Sequence, residues 1–302
     1  MPPKRLHPEL ESWLQGTASD TAPVLLELSR RQAARRRPAD LLAQLQRDGF
    51  VAPSQALDQR LAHRLDGIAL EAASLFEALL LSPVAPLGSC SVLAPTSQDR
   101  TLSATRGAEV VSDPTNVLAL ECARRIAQAP GVDVRLCTAH QVLRAQALPA
   151  KAGHSRHFRL FALAEAGAGR AEDGFEVEAI VRHVGVWDRA FDGFTSALGC
   201  SLPRRRAVVH TTPEREVLAS RLAQRVGEAL PHVEVVRVPL QSRYYAGVRV
   251  LFGAHTQAGE FVALGDTGAF DWMARLLANR KLRFVASGMG VQLVPVLFAG
   301  KA

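Results

Sequence analysis

Two pairs of strand-like segments limit the folds open to this chain more than anything else in it. The first pair is "VDVRLCTAHQVLRAQ" and "RHFRLFALAEAG", joined by the glycine-bearing, basic loop "ALPAKAGHS". The second is "YYAGVRVLFGAH" and its antiparallel partner "GEFVALGDTG". Each reads as a hairpin of apolar strands bounded by turn residues. Helical segments lie between and around them. In "SQALDQRLAHRLDGIALEAAS", Leu57, Leu61, Leu65, Ile68 and Ala72 recur at helical spacing. "PTNVLALECARRIAQAPG" places Pro114 in a first helical turn. "DGFEVEAIVRHVGVWDRAF" and "AFDWMARLLANRK" read as helices, and residues 204–238 as strand, helix, strand, with Thr211 or Thr212 as cap and Pro213 in the first turn.

"LFEALLLSPVAPLG" reads as a buried strand ended by prolines, "TLSATRGAEVVSD" as a strand and turn, and "RFVASGMGVQLVPVLF" as a last strand. Residues 1–55 read as a helical extension of short segments, with Asp40 capping "LLAQLQRDG". The expected class is α+β, with a largely antiparallel sheet flanked by helices. No strand–GxGxxG–helix unit and no GxxxxGK(S/T) occurs, so neither a Rossmann nor a P-loop nucleotide site is expected.

The chain has 302 residues, 48% hydrophobic and 22% charged, which suits a soluble globular protein. Its net charge of +7 comes almost wholly from arginine. The real cluster is "RRQAARRRP", Arg30 to Pro38, which lies in a helical pattern and reads as a solvated helix face; an RNA contact is the alternative. The four cysteines show neither CxxC nor Cys/His spacing, so no disulfide frame and no metal site is expected. No apolar run reaches membrane-spanning length, and the N-terminus has no signal-peptide core, so the expected location is the cytoplasm.

"LQSRYYAG" holds both tyrosines of the chain, Tyr244 and Tyr245. On a strand they would face opposite sides, one ring buried and one in water. The alternative is that they wall a polar pocket.

Four stretches, in order, resemble the catalytic domain of a class II aminoacyl-tRNA synthetase, most like histidyl-tRNA synthetase. The helix from Ser54 to Ser74 with the strand ending in "SPVAP" is similar to motif 1 and its proline, Pro83 or Pro86. "SDPTNVLALECARR" sits where the family has "RPEGTAPVAR". "VRLCTAHQVLRAQALPAKAGHSRHFRLFALAE" resembles the motif 2 hairpin. "LQSRYYAGVRVLF…ALGDTGAFDWMARL…RFVASGMG" follows "RGLDYYTGTVFE…GGGRYDGL…GFAIGLERL". The likeness covers about residues 56–295, which divides the chain into an extension, 1–55, and a synthetase-like domain, 56–302.

The resemblance implies roles. Arg144 aligns with the motif 2 arginine, which holds the α-phosphate and the amino-acid carboxylate and is the catalytic candidate. Arg156, with Lys151 and His154, would reach the outer phosphates of ATP, with or without magnesium. Phe158 would stack on adenine. Tyr244 and Tyr245 would stand beside the amino-acid pocket, near Asp113, Thr115 and Gln146.

The departures matter as much. Gln146 replaces the motif 2 acid. Leu240 and Arg243 replace the arginine and aspartate of "RGLDYY", and Ala269 replaces the arginine of "GGGRYDG". Thr115 and Ala164 replace two glutamates that hold the ammonium; Asp113 and Glu165 are the nearest acids. After Phe284 no arginine remains for motif 3; Arg280 and Arg283, just before that strand, are the nearest substitutes. Each lost charged contact weakens transition-state stabilisation.

The expected function is therefore a paralogue that no longer charges tRNA. It would bind a nucleotide, an amino acid or a related carboxylate in a binding or regulatory role, like the regulatory subunit of ATP phosphoribosyltransferase. The alternatives are an ATP-dependent, AMP-forming ligase with a non-histidine substrate and a non-tRNA acceptor, and an RNA-binding module. A homodimer through "FEALLLSPV" is expected, and a protein partner is possible.

Overall fold

The computed structural model describes residues 15–53, 57–104, 106–146 and 154–299. Two helices come first, α1 (Ala18–Ala34) and α2 (Pro38–Arg47), neither with a buried residue. Then follow α3 (Gln59–Ala72), β1 (Glu77–Ala78), β2 (Val84–Pro86), α4 (Ser89–Leu93), β3 (Ser103–Ala104), β4 (Ala108–Val110) and α5 (Pro114–Gln128). The hairpin β5 (Val134–Leu143) and β6 (His157–Ala168) leads into the long α6 (Gly174–Leu198). After it come β7 (Arg206–Thr211), α7 (Glu216–Ala229), β8 (Glu234–Pro239), β9 (Val248–His255), β10 (Phe261–Phe270), α8 (Trp272–Leu276), β11 (Leu282–Met289) and α9 (Leu293–Phe298).

Eight strands form one sheet in the order β1-β5-β6-β11-β10-β9-β7-β8, and β2-β4-β3 form a second. Only β1/β5 and β7/β8 pair in parallel in the large sheet; its other pairs are antiparallel. Both expected hairpins are present.

The centre of the sheet is covered on both faces, and β6 records this in its sequence. Successive side chains of a strand alternate between faces. Ala162, Ala164 and Ala166 turn to one face, where Leu118, Ala119, Cys122 and Ile126 of α5 pack on them. Phe161 and Leu163 turn to the other, against Ile180, Val184 and Trp187 of α6. Small residues on one face let α5 approach closely, and large ones on the other fill the space under α6.

Four local expectations are corrected. Residues 75–88 are not a buried strand: β1 and β2 are short, and Leu80 is 100% exposed, with Leu75 and Leu87 exposed beside it. Among the described residues none covers Leu80. The last strand stops at Met289, and "LVPVLF" turns into α9. Asp40 is not the N-cap of α2. Pro38 occupies the first turn, Arg37 is the cap, and the Asp40 carboxylate accepts from the Arg37 amide at 2.9 Å. The tyrosine pair lies in the turn before β9 rather than on the strand.

The arginine cluster is a solvated helix face as expected: Arg30 and Arg31 lie on Glu27, and Arg37 on Asp40. No helix among the described residues is long and apolar enough to cross a membrane.

Candidate functional site

A cavity of about 370 Å³ opens on the α5 face of the sheet. This is within the usual size of small-molecule sites. β11 supplies part of its floor through Ala286 and Gly288, and β10 supplies Asp266 and Phe270. The start of α5, the end of β5 and the tyrosine turn supply most of its polar groups.

The turn explains the tyrosines. Gly247 takes a left-handed φ of 81°, a conformation that suits glycine. The turn is pinned to β10 by the Ala246 amide, which donates to the Ala269 carbonyl at 2.8 Å. Both rings therefore fall on one side, edge to face with centroids 5.0 Å apart. Tyr245 lies flat on β10, so close to Gly268 that a Cβ there would meet its Cδ1 at 2.2 Å.

The Tyr245 hydroxyl donates to Asp266 at 2.8 Å, and Arg249 closes on the same carboxylate with bonds of 2.9 and 2.6 Å. Burial, then the Asp266 charge, pushes the Tyr245 phenol up, so it stays a donor at neutral pH. Tyr244 packs edge-on against Phe270 and Trp272. Its hydroxyl makes no hydrogen bond among the described residues. Burial raises the Tyr244 phenol above its ordinary value; Asp113, Arg144, Arg100 and Asp266 act on it electrostatically.

Arg144 is fixed by its Nε, which donates to the Ser112 carbonyl at 2.9 Å, and its Nη2 stands 3.5 Å from Asp113. Its guanidinium lies 5.1 Å over the Phe158 ring. Asp113 caps α5: one carboxylate oxygen accepts from the Thr115 amide at 3.0 Å and the Thr115 hydroxyl at 2.7 Å. Its other oxygen faces Arg144.

No family model and no curated protein matches the sequence. Solved structures do match in shape. An ATP phosphoribosyltransferase regulatory subunit/histidyl-tRNA synthetase from Bacillus halodurans C aligns with a TM-score of 0.60 at 13% identity, covering 81% of this chain and 82% of that one. The apo histidyl-tRNA synthetase of S. aureus aligns at 0.56 and 13%, covering 82% and 68%. A histidine–tRNA ligase subunit from Alicyclobacillus acidocaldarius aligns at 0.55 and 13%, covering 82% and 97%. The chain has the class II synthetase fold.

Within that fold the expected site residues divide into two groups. Asp113, Thr115, Arg144, Tyr244 and Tyr245 meet around the cavity. Gln146, His154, Arg156 and Phe158 do not line it. Arg156 stacks on Phe50 at 4.5 Å and donates to the Gln146 carbonyl at 3.2 Å; Gln146 is itself exposed. His154 is exposed, and Lys151 lies outside the described residues. Phe158 packs with Val142 and Leu160 beneath Arg144.

Glu165 is on the opposite face from the cavity, held by Arg182 at 2.8 Å and Arg135 at 3.2 Å, and burial raises its carboxyl. It cannot stand in for the glutamate that Ala164 replaces. Arg283 binds Glu176 of α6 at 3.0 Å, so it does not stand in for the motif 3 arginine. Among the described residues no metal-ligating cluster occurs.

Sequence reasoning missed Arg100, Asn116 and Asp266, which also line the cavity. Asp266 had a signal: an acid inside an apolar strand, with Arg249 on the partner strand of the hairpin, diagonal to it. Asn116 had one too, one residue past Thr115. Arg100 lies in a loop with no motif.

Proposed function

We propose that this chain is a synthetase-like protein that binds a small nucleotide or amino-acid-like ligand in the cavity around Tyr244, and acts by binding or regulation rather than by charging tRNA. The observation that carries this reading is the split among the site residues. The groups suited to a small polar ligand converge, while of those expected to hold a triphosphate only Arg144 reaches the cavity: Arg156 is engaged on Phe50, and no arginine follows Phe284. β11 offers Ala286 and Gly288 to the cavity, and Arg156 is stacked on Phe50. The residues present therefore fit ATP with magnesium poorly, and an amino-acid-like ligand better. The likeness to a protein described as an ATP phosphoribosyltransferase regulatory subunit/histidyl-tRNA synthetase supports a synthetase-like fold in a regulatory role.

The exposed apolar edge at Leu75, Leu80, Val84 and Leu87 supports a partner seated there, and we propose a second copy of the chain.

ATP–pyrophosphate exchange with a panel of amino acids tests the reading, beside ligand-dependent thermal shifts. The expected result is no exchange with any amino acid, and a shift with at least one ligand that Arg144→Ala abolishes. Exchange that requires one amino acid would instead establish an AMP-forming ligase and name its substrate.

A further inference from the structure

We propose that the ligand of this cavity is a small amino acid with an acidic side chain, and that Arg100 selects it. The inference rests on the ligand-binding reading above and narrows it to one chemical class.

The charges around Tyr244 are unequal in their partners. Asp266 is balanced by Arg249, which grips it with two bonds. Asp113 is balanced by Arg144. Arg100 has no acid: among the described residues its guanidinium makes no ion pair and no hydrogen bond, and its Nε is shut off from solvent without a partner. Counting Arg249 behind Asp266, the described charges around Tyr244 leave one arginine, Arg100, without an acidic partner. A half-buried guanidinium whose Nε is cut off from solvent without a partner is costly, and the group that suits it best is a carboxylate, which can take two of its N–H groups at once.

A second group is also unsatisfied. Asn116 is 3% exposed, lines the same cavity, and its Oδ1 has no partner. A buried amide oxygen of this kind calls for a donor. The Asp113 oxygen that faces Arg144 only at 3.5 Å offers a second, anionic acceptor. The Tyr244 hydroxyl, without a partner, completes the set.

These groups specify a ligand with three anchors. One carboxylate goes to Arg144, a second to Arg100, and an ammonium to Asp113 and Asn116. The net charge of such a ligand, one negative, complements Arg100, the arginine left without an acidic partner. Aspartate and glutamate meet this description; their amides and histidine lack the second carboxylate.

Isothermal titration of the full chain with L-aspartate, L-glutamate, L-asparagine, L-glutamine and L-histidine tests the assignment. An acid should bind about tenfold or more tighter than its amide, the difference expected for one charged hydrogen-bonded contact. Arg100→Gln should remove that preference, and Arg100→Lys should keep part of it. An amide or histidine binding as tightly as the acids would overturn the acidic assignment and leave the ligand-cavity reading standing. A preference unchanged in Arg100→Gln would overturn the role of Arg100. If no amino acid binds, the assignment is wrong, and titration with AMP then decides the broader reading: saturable binding keeps it, and none removes both.

Discussion

Replacing Gly268 by alanine should damage the site chiefly through Tyr245, and this can be tested in a second background. An alanine Cβ at 268 would stand 2.2 Å from Cδ1 and 2.7 Å from Cε1 of Tyr245. Carbon atoms rest at about 3.5–4.0 Å, so the ring must move by roughly 1 Å or more. Overpacking of this kind costs about 1–3 kcal/mol. The movement also strains the 2.8 Å bond from the Tyr245 hydroxyl to Asp266. A hydrogen bond to a charged group contributes about 1.5–3 kcal/mol. Alanine is better than glycine in a strand by roughly 0.5–1 kcal/mol, which offsets part of the loss. The expected destabilisation is about 2–5 kcal/mol. In a Tyr245→Ala background the clash is gone, and the nearest remaining atom is the Val248 carbonyl oxygen at 3.2 Å. There Gly268→Ala should cost less by about 2 kcal/mol or more, leaving only the tight approach to the Val248 carbonyl, which the better strand propensity of alanine partly offsets. Urea unfolding of the four proteins, followed by circular dichroism, completes the double-mutant cycle. Equal costs in the two backgrounds would refute the placement of the ring on β10.

Three further outcomes are expected. Phe50→Ala removes the ring under Arg156, at a cost of about 0.5–1 kcal/mol, and should leave the central sheet intact while α1 and α2 become more sensitive to limited proteolysis; unchanged cleavage would mean that the Phe50 contact does not anchor them. Leu80→Asp should convert a dimer to a monomer in sedimentation with an unchanged circular dichroism spectrum, whereas a wild-type chain that is already monomeric at micromolar concentration would remove the proposed dimer. Acid should destabilise the fold through His183. Burial, with the Arg182 charge beside it, lowers this imidazole from 6.5 to about 3. Its folded value is depressed, so its contribution is complete above pH 6.5 and is lost as pH falls from 6.5 toward about 3. Glu165, whose carboxyl is raised by burial, acts with the opposite sign. His183→Gln should therefore flatten the fall in unfolding free energy between pH 6.5 and 5; an unchanged slope would show that His183 is not the group responsible.

Legibility in the sequence followed the range of the interactions involved. The β5–β6 hairpin, α5 with Pro114 in its first turn and the β7–α7–β8 unit were readable because patterns local in the chain fix them. The edge at 75–88 was not: the same apolar residues suit a buried strand or an uncovered edge, and only what packs over them decides. The contact of Arg156 with Phe50 was not legible, because Phe50 comes from the extension far upstream and nothing near either residue announces it. The tyrosines were read onto the strand, whereas Gly247 breaks it with a left-handed turn that brings both rings to one side.

The site residues show a further limit, which is geometric. Where a motif residue is replaced, an acid one position away can serve on some elements and not on others. At the start of α5, Asp113 stays at the same end of the element as Thr115. Both stand at a helix terminus, where the chain turns and side chains two apart share one end; the Thr115 hydroxyl in fact bonds Asp113 at 2.7 Å. On β6 the same substitution fails. Glu165 is one residue past Ala164, and one residue on a strand is the other face. The carboxylate that alignment places beside the ammonium is instead behind the sheet, paired with Arg182 and Arg135. The cavity also holds an arginine outside the expected site residues, Arg100. On the proposal of an acidic ligand, the molecule suited to this set of groups differs from histidine in charge, whatever the fold has in common with proteins that bind histidine.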